Sequence, residues 1–186
     1  KGATIASTPP FGPVYVSIDS HVQEQPVDDS IETFDPSLPR YNAPPPAGPN
    51  EDALEQAAEM IVNADFPVLV GGRFAIYEEM RQPLIELLEL TGAGGLNDRA
   101  VYSWPSDHPQ NLSGDKDALL EADVVVCLDV IDVNNVMGTY AVRRRSDQLE
   151  AREKAPPKLI DMSLNPIDNN SWTGFGGPTP PVDLQL

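Results

Sequence analysis

Short apolar runs alternate with segments of helical periodicity along the middle of the chain. A continuous apolar run bounded by turn residues predicts a buried strand, and apolar residues that recur every three or four positions predict a helix. From Asn50 onward, this pattern predicts a helix that ends before Pro67, a strand at 68–70, a helix at 74–90, a weak strand at 95–97, a short helix at 117–122, a strand at 123–128, a helix at 143–154 and a strand at 158–162.

Strands that alternate with helices in this way are typical of an α/β fold, in which helices cover both faces of a parallel sheet. We therefore expect a Rossmann-like parallel sheet. Asn50 is a good N-cap for the first helix, because its side chain can accept a hydrogen bond from a free backbone N–H group. Pro83 lies inside the second predicted helix, where it either kinks the helix or marks its true first turn.

Proline-rich segments flank the region of alternating helices and strands. Most of the 20 prolines among the 186 residues lie near the start, at 36–49 and at 178–181. A β-branched and aromatic run at 14–18 predicts one strand. Residues 20–49 have almost no periodicity and predict an extended connector. The sequence thus indicates one α/β domain flanked by proline-rich linkers.

The charge balance excludes two classes of partner. Twelve Lys and Arg against 29 Asp and Glu give a formal net charge of −17, which repels phosphate backbones and anionic lipid, so we expect no nucleic acid and no membrane as partner. The longest apolar run is far shorter than the roughly 20 residues that span a bilayer, and we expect no secretory signal, because no basic stretch followed by an apolar stretch occurs at the start of this sequence. We expect a cytoplasmic protein.

Nucleophiles and metal ligands are scarce. Cys127 is the only cysteine and lies in an apolar strand, where a thiol packs as an inert side chain. His108 follows Asp107 and could belong to an acid–base pair or to a hydrogen-bonded loop. His21 lies among aspartates, in either a metal cluster or a solvated loop. We predict no catalytic group and no metal site in this chain.

The best candidates for ligand contact follow the predicted strands. Gly71, Gly72 and Arg73 come after one strand and before a helix, where phosphates meet a helix N-terminus in doubly wound sheets. The two glycines could equally form only a tight turn. Asp129 and Asp132 follow the strand at 123–128, on the side where ligands bind in open α/β sheets.

Several short motifs occur in a fixed order over nearly the whole chain. They are Gly12-Pro13-Val14-Tyr15-Val16, His21-Val22-Gln23, Pro67-Val68-Leu69-Val70-Gly71-Gly72, Pro105-Ser106-Asp107-His108-Pro109, Ala122-Asp123-Val124-Val125-Val126 with Asp132, and Leu159-Ile160-Asp161. In this order and spacing they resemble the acetolactate-synthase-like family of thiamine-diphosphate-dependent enzymes. The resemblance runs from the last strand of that family's pyrimidine-binding domain through its central domain.

The resemblance implies a division of the chain. Residues 1–19 would end the preceding pyrimidine-binding domain, 20–49 would be the proline-rich linker, 50–170 the central Rossmann-like domain, and 171–186 a linker toward a diphosphate-binding domain. The two catalytic domains, which this sequence lacks, would be its partners, and the parent would be at least dimeric.

The resemblance also implies an activity for the parent. It would be a lyase or transferase that decarboxylates 2-keto acids or joins the product to a second carbonyl, with thiamine diphosphate and Mg²⁺ as cofactors. This chain alone would be inactive and serve as a scaffold. Its own Gly114-Asp115-Lys116 and Asn134-Asn135 depart from the family's Gly-Asp-Gly…Asn metal motif in the third residue and in the spacing.

A bound nucleotide is the alternative that stays open. In some members the central domain binds FAD or an ADP-type nucleotide, and the corresponding contacts here would come from Gly71, Gly72, Arg73, Asp129, Asp132 and Asp161. The FAD-type pattern has an arginine where this sequence has Val130, and a glycine where it has Arg73. The second interpretation of the whole chain is an independent Rossmann-like nucleotide-binding or regulatory module.

Overall fold

The structure, a computed structural model, describes residues 1–9, 11–28, 30, 35–45, 48–98, 102–115, 117–138, 155–164 and 180–186. They form two compact units, Lys1–Gly48 and Pro49–Leu186. All residues of the hydrophobic core belong to the second unit.

The first unit contains only short elements. These are helix α1 (Gly2–Ala6), helix α2 (Ser20–Gln23), which Asp19 caps through the N–H of His21, and a 3₁₀ turn at Pro39–Tyr41. The strand predicted at 14–18 is wrong: these residues form no strand and are exposed, Tyr15 by 91%. A strand needs a neighbour for its backbone hydrogen bonds, and the described part of this unit offers none.

The second unit is built on a five-stranded sheet. Its strands are β1 (Pro67–Gly71), β2 (Gly94–Asn97), β3 (Val124–Leu128), β4 (Lys158–Met162) and β5 (Leu184–Gln185), in the spatial order β2-β1-β3-β4-β5. Every neighbouring pair is parallel. The predicted α/β class is thereby confirmed, and β5 is a strand that the hydrophobic pattern did not predict.

Helices cover both faces of this sheet. They are α3 (Glu51–Val62), α4 (Arg81–Thr91) and α5 (Ala118–Glu121), with a further helical stretch at 133–138. Strand side chains alternate between the faces. One face packs against α3 and α4 through Ala57, Ile61, Leu69, Leu84, Leu88 and Val126. The other packs against α5 and the 133–138 stretch through Val68, Val70, Leu119, Val125, Cys127 and Val136.

The second predicted helix begins later than its apolar pattern suggested. Two 3₁₀ turns, at Arg73–Ile76 and Glu78–Met80, precede α4, which starts at Arg81. Pro83 is the third residue of α4, where its missing N–H needs no acceptor. Of the two roles expected for this proline, the first-turn role is therefore correct.

The remaining predicted elements are found close to their expected limits, apart from the helix at 143–154, which lies outside the described residues. Asn50 caps α3, since its side chain accepts the N–H of Ala53 at 3.1 Å. Within the described ranges, no helix combines the length and the apolar character needed to cross a bilayer.

Candidate functional site

The sheet order identifies one crevice as the first place to look for a ligand. In open parallel sheets, ligands bind beyond the carboxyl ends of the strands at the point where the strand order reverses. Here that point lies between β1 and β3, because β1 pairs with both β2 and β3. Gly72 and Arg73 follow β1, and Asp129 follows β3.

The backbone closes this crevice. The N–H of Gly72 donates to the carbonyl of Leu128 at 3.0 Å, and the N–H of Arg73 donates to the carbonyl of Asp129 at 2.9 Å. A Cβ atom on Gly72 would overlap the Asp129 carbonyl and lie 2.7 Å from the Cα of Val130. Glycine is required here by close approach, and the two amides already have acceptors.

An ion pair lies over the closed backbone. Arg73 Nη2 donates to Oδ1 of Asp129 at 2.7 Å, and the side chains are 19% and 5% exposed. The Ser163 hydroxyl donates to the same oxygen at 3.2 Å, and the Asp129 N–H donates to the Met162 carbonyl at 2.7 Å. Asp129 has a φ of 51°, a left-handed conformation that non-glycine residues seldom adopt, although asparagine and aspartate adopt it more often than most. Contacts from the residue after Gly72 and from the end of β4 thus fix this residue.

The charges of Asp129 and Arg73 also affect the pKa of Tyr77. Burial raises the pKa of the Tyr77 phenol above its ordinary value, the negative charge of Asp129 raises it further, and Arg73 lowers it. The phenol is therefore protonated at neutral pH and can serve there as a hydrogen-bond donor.

The other two predicted aspartates are engaged elsewhere. Asp132 is fully buried, and its Oδ1 accepts the N–H of Asn135 at 2.9 Å, so it caps the helical stretch at 133–138. Asp161 lies within β4, and its Oδ2 accepts from Nε2 of Gln185 on β5 at 2.9 Å. Of the six predicted ligand contacts, the structure brings Gly72, Arg73 and Asp129 into direct contact. Gly71 lies at the end of β1, packed against Ser103.

A buried polar corner beside β2 was not among the predicted sites. The N–H of Asp98 donates to the carbonyl of Gly71 at 3.1 Å, and the Asn97 side chain accepts the N–H of Ser103 at 2.8 Å. Asp98 and Ser103 are each 4% exposed, and Trp104 is 2% exposed with its indole donating to Leu96. Ser103 and Trp104 belong to the loop expected at 98–114. The sequence feature that could have indicated this corner is the polar pair Asn97-Asp98 at the end of a predicted strand.

The remaining candidates occupy structural positions. Burial, followed by the charges of Asp161 and Asp98, raises the pKa of the Cys127 thiol far above its ordinary value, so this thiol is not a nucleophile. His108 Nδ1 accepts the N–H of Gln110 at 3.2 Å, and its Nε2 lies 3.4 Å from Glu89. No three metal-binding side chains converge in the described part of the chain.

Comparison with known proteins gives one kind of match. No family profile matches the sequence, and no curated protein matches it. The 52 solved chains that do match include a protein from Mycobacterium smegmatis provisionally described as a thiamin diphosphate-dependent enzyme. The alignment has 20% identity and a TM-score of 0.55, and covers 98% of this chain and 32% of that one. At this identity the likeness shows the fold, and the chain spans about a third of its neighbour.

Proposed function

We propose that this chain is the central, scaffolding domain of a thiamine-diphosphate-dependent 2-keto acid decarboxylase or carboligase of the acetolactate synthase type. The observation that carries the proposal is the fold match, which extends over 98% of this chain but only 32% of the neighbour. The ordered series of motifs from Gly12 to Asp161 supports it independently, because those motifs are features of the sequence alone.

The scaffolding role is supported by the chemistry of the described residues. Cys127 is buried with a raised pKa, and His108 is held by a backbone N–H group. Neither is paired in the described structure as nucleophile and base. In the parent, the domain would connect the two catalytic domains and support an oligomer that is at least dimeric, in the cytoplasm.

Thiamine diphosphate and Mg²⁺ would be held by the two neighbouring domains. Within this chain, the nearest equivalent of the family's metal motif does not fit a cation. Asp115 is exposed, and its Oδ1 accepts the N–H of Asp117 at 2.9 Å, so the carboxylate closes a turn. The adjacent Lys116 would also place a positive charge beside the metal.

The test is the enzymatic activity of the protein that the complete reading frame encodes. We expect a glutamate-bearing domain to be encoded before these residues and a Gly-Asp-Gly…Asn domain after them. The complete protein should release carbon dioxide from a 2-keto acid such as pyruvate when supplied with thiamine diphosphate and Mg²⁺, and the 186-residue chain should not. A reading frame without these two domains would overturn the proposal.

An independent nucleotide-binding module is the second candidate. It is favoured by the strand order, which is the order of flavodoxin-like sheets that bind a nucleotide at the point between β1 and β3. Binding of ADP or FAD to this chain, lost in Arg73→Ala, would favour the module over the scaffold.

A further inference from the structure

We propose that the ion pair between Arg73 and Asp129 is a latch that closes the crevice between β1 and β3 to phosphate groups. The term latch refers to these two side chains together. The proposal concerns only the crevice of the second unit and does not depend on the identity of the parent enzyme.

Phosphate sites at strand–helix junctions use free backbone N–H groups. In this chain, the two amides best placed for that role, those of Gly72 and Arg73, donate to the carbonyls of Leu128 and Asp129. The Cα of Gly72 also packs directly on the Asp129–Val130 backbone. These two backbone amides are therefore not free to bind a diphosphate, and the charged donor at the junction is the Arg73 side chain.

That donor is occupied by the protein's own carboxylate. Asp129 Oδ1 accepts from Arg73 Nη2 at 2.7 Å in an environment where the Asp129 side chain is only 5% exposed. An incoming phosphate would have to displace this carboxylate and leave it buried beside a second anion, which is strongly unfavourable. Arg73 Nε is also buried and has no acceptor among the described residues. A guanidinium released from Asp129 could therefore offer an anion two donors.

The backbone conformation of Asp129 allows its carboxylate to be removed by substitution without backbone strain. Its φ of 51° suits glycine and is tolerated by asparagine, so neither replacement conflicts with the backbone. Asp129→Gly removes the carboxylate and leaves Arg73 without its partner. Asp129→Asn keeps the shape and removes the charge.

Calorimetric titration of the 186-residue chain with inorganic pyrophosphate and with ADP tests the latch. The natural sequence should bind neither at millimolar concentrations. Asp129→Gly should gain affinity of about tenfold or more for pyrophosphate, because charge-assisted hydrogen bonds to arginine become available. The double variant Arg73→Gln with Asp129→Gly should lose that gain.

Asp123→Asn is the matched control, since it removes the same charge from a half-buried aspartate just before β3, at the opposite end of the strand. It should gain no affinity. Circular dichroism checks that each variant folds. If Asp129→Gly does not fold, Asp129→Asn is titrated in its place. Tight binding of ADP by the natural sequence would overturn the latch. A folded variant without the carboxylate that gains nothing would overturn it equally.

Discussion

Gly72 combines two constraints at a single position. Its amide completes the contact between β1 and the chain after β3, and its Cα lies where any side chain would overlap the Asp129 carbonyl. Well-packed sites respond to added atoms by shifting backbone, which typically costs about 1–3 kcal/mol. The need for glycine here is therefore steric and independent of any ligand.

Gly72→Ala should lower the free energy of unfolding by about 1–3 kcal/mol. The matched control is Gly114→Ala, because a Cβ at Gly114 meets nothing within 4 Å. That substitution should change stability by less than about 0.5 kcal/mol. Urea denaturation followed by circular dichroism measures both values. Equal stability of the two variants would contradict the close approach between Gly72 and Asp129.

The sequence placed Arg73 and Asp129 at the same edge of the sheet but did not predict that they bind each other. Both follow apolar runs, and strand polarity alone brings such positions together. The partner of a charged side chain depends on the register between β1 and β3 and on the left-handed backbone at Asp129, which no local pattern encodes. The cap formed by Asp132 was missed for a related reason, since an aspartate after a strand serves equally as a ligand or as an N-cap.

At the scale of elements, Asp123 joins the turn after α3 to the start of β3. Its two carboxylate oxygens accept the N–H groups of Asp65 and Phe66 at 2.8 and 2.9 Å. Burial raises the pKa of this carboxyl, but the backbone hydrogen bonds from Asp65, Phe66, Asp123 and Val124 together outweigh burial, so its pKa in the folded chain lies below the ordinary value. The ionised form is therefore the one that stabilises the fold.

Asp123→Asn should destabilise the chain by about 1–2 kcal/mol at neutral pH, since the amide nitrogen cannot accept one of the two N–H groups. Because the folded pKa is depressed, the contribution of the carboxylate is fully present above the unfolded pKa of about 4 and is lost as the pH falls through the folded value. The stability difference between the natural chain and the variant should thus shrink below about pH 4.

Urea denaturation between pH 7 and pH 3 measures this difference. Asp107→Asn serves as the control, because Asp107 lies in an exposed loop and its replacement should alter stability little. A stability difference for Asp123→Asn that grows on acidification would contradict the assigned role of the carboxylate.

Elements with a strong local pattern were predictable, and those that depend on distant partners were not. The apolar runs of β1 and β3 are buried along their full length, and β4 is buried at its three central residues, so the local pattern was enough to predict these strands. The run at 14–18 is also rich in β-branched residues but forms no strand, because a strand needs a neighbouring strand for its backbone hydrogen bonds. Conversely, β5 has two residues and is held by the edge of β4, where Asp183 accepts the N–H of Leu159 at 2.8 Å.

At the scale of the whole molecule, the two units differ in what stabilises them. The second unit contains both hydrophobic clusters and the complete sheet, whereas none of the described helix and strand residues of the first unit is buried. A domain with its own core can fold alone. The proline-rich connector expected at 20–49 ends close to the boundary between the units at Gly48.

A chain of residues 49–186 should therefore fold on its own in one cooperative transition, with a free energy of unfolding similar to that of the 186-residue chain. Urea denaturation followed by tryptophan fluorescence reports this transition, because Trp104 is buried in the second unit. A shortened chain that fails to fold would show that residues 1–48 complete the core.

We propose that this chain supports catalytic domains and does not itself hold their cofactor. Calorimetric titration of the 186-residue chain with thiamine diphosphate and Mg²⁺ tests it most directly, with the protein from the complete reading frame as the positive control. We expect no binding to this chain and clear binding to the complete protein. Micromolar affinity of the 186-residue chain for thiamine diphosphate would contradict it.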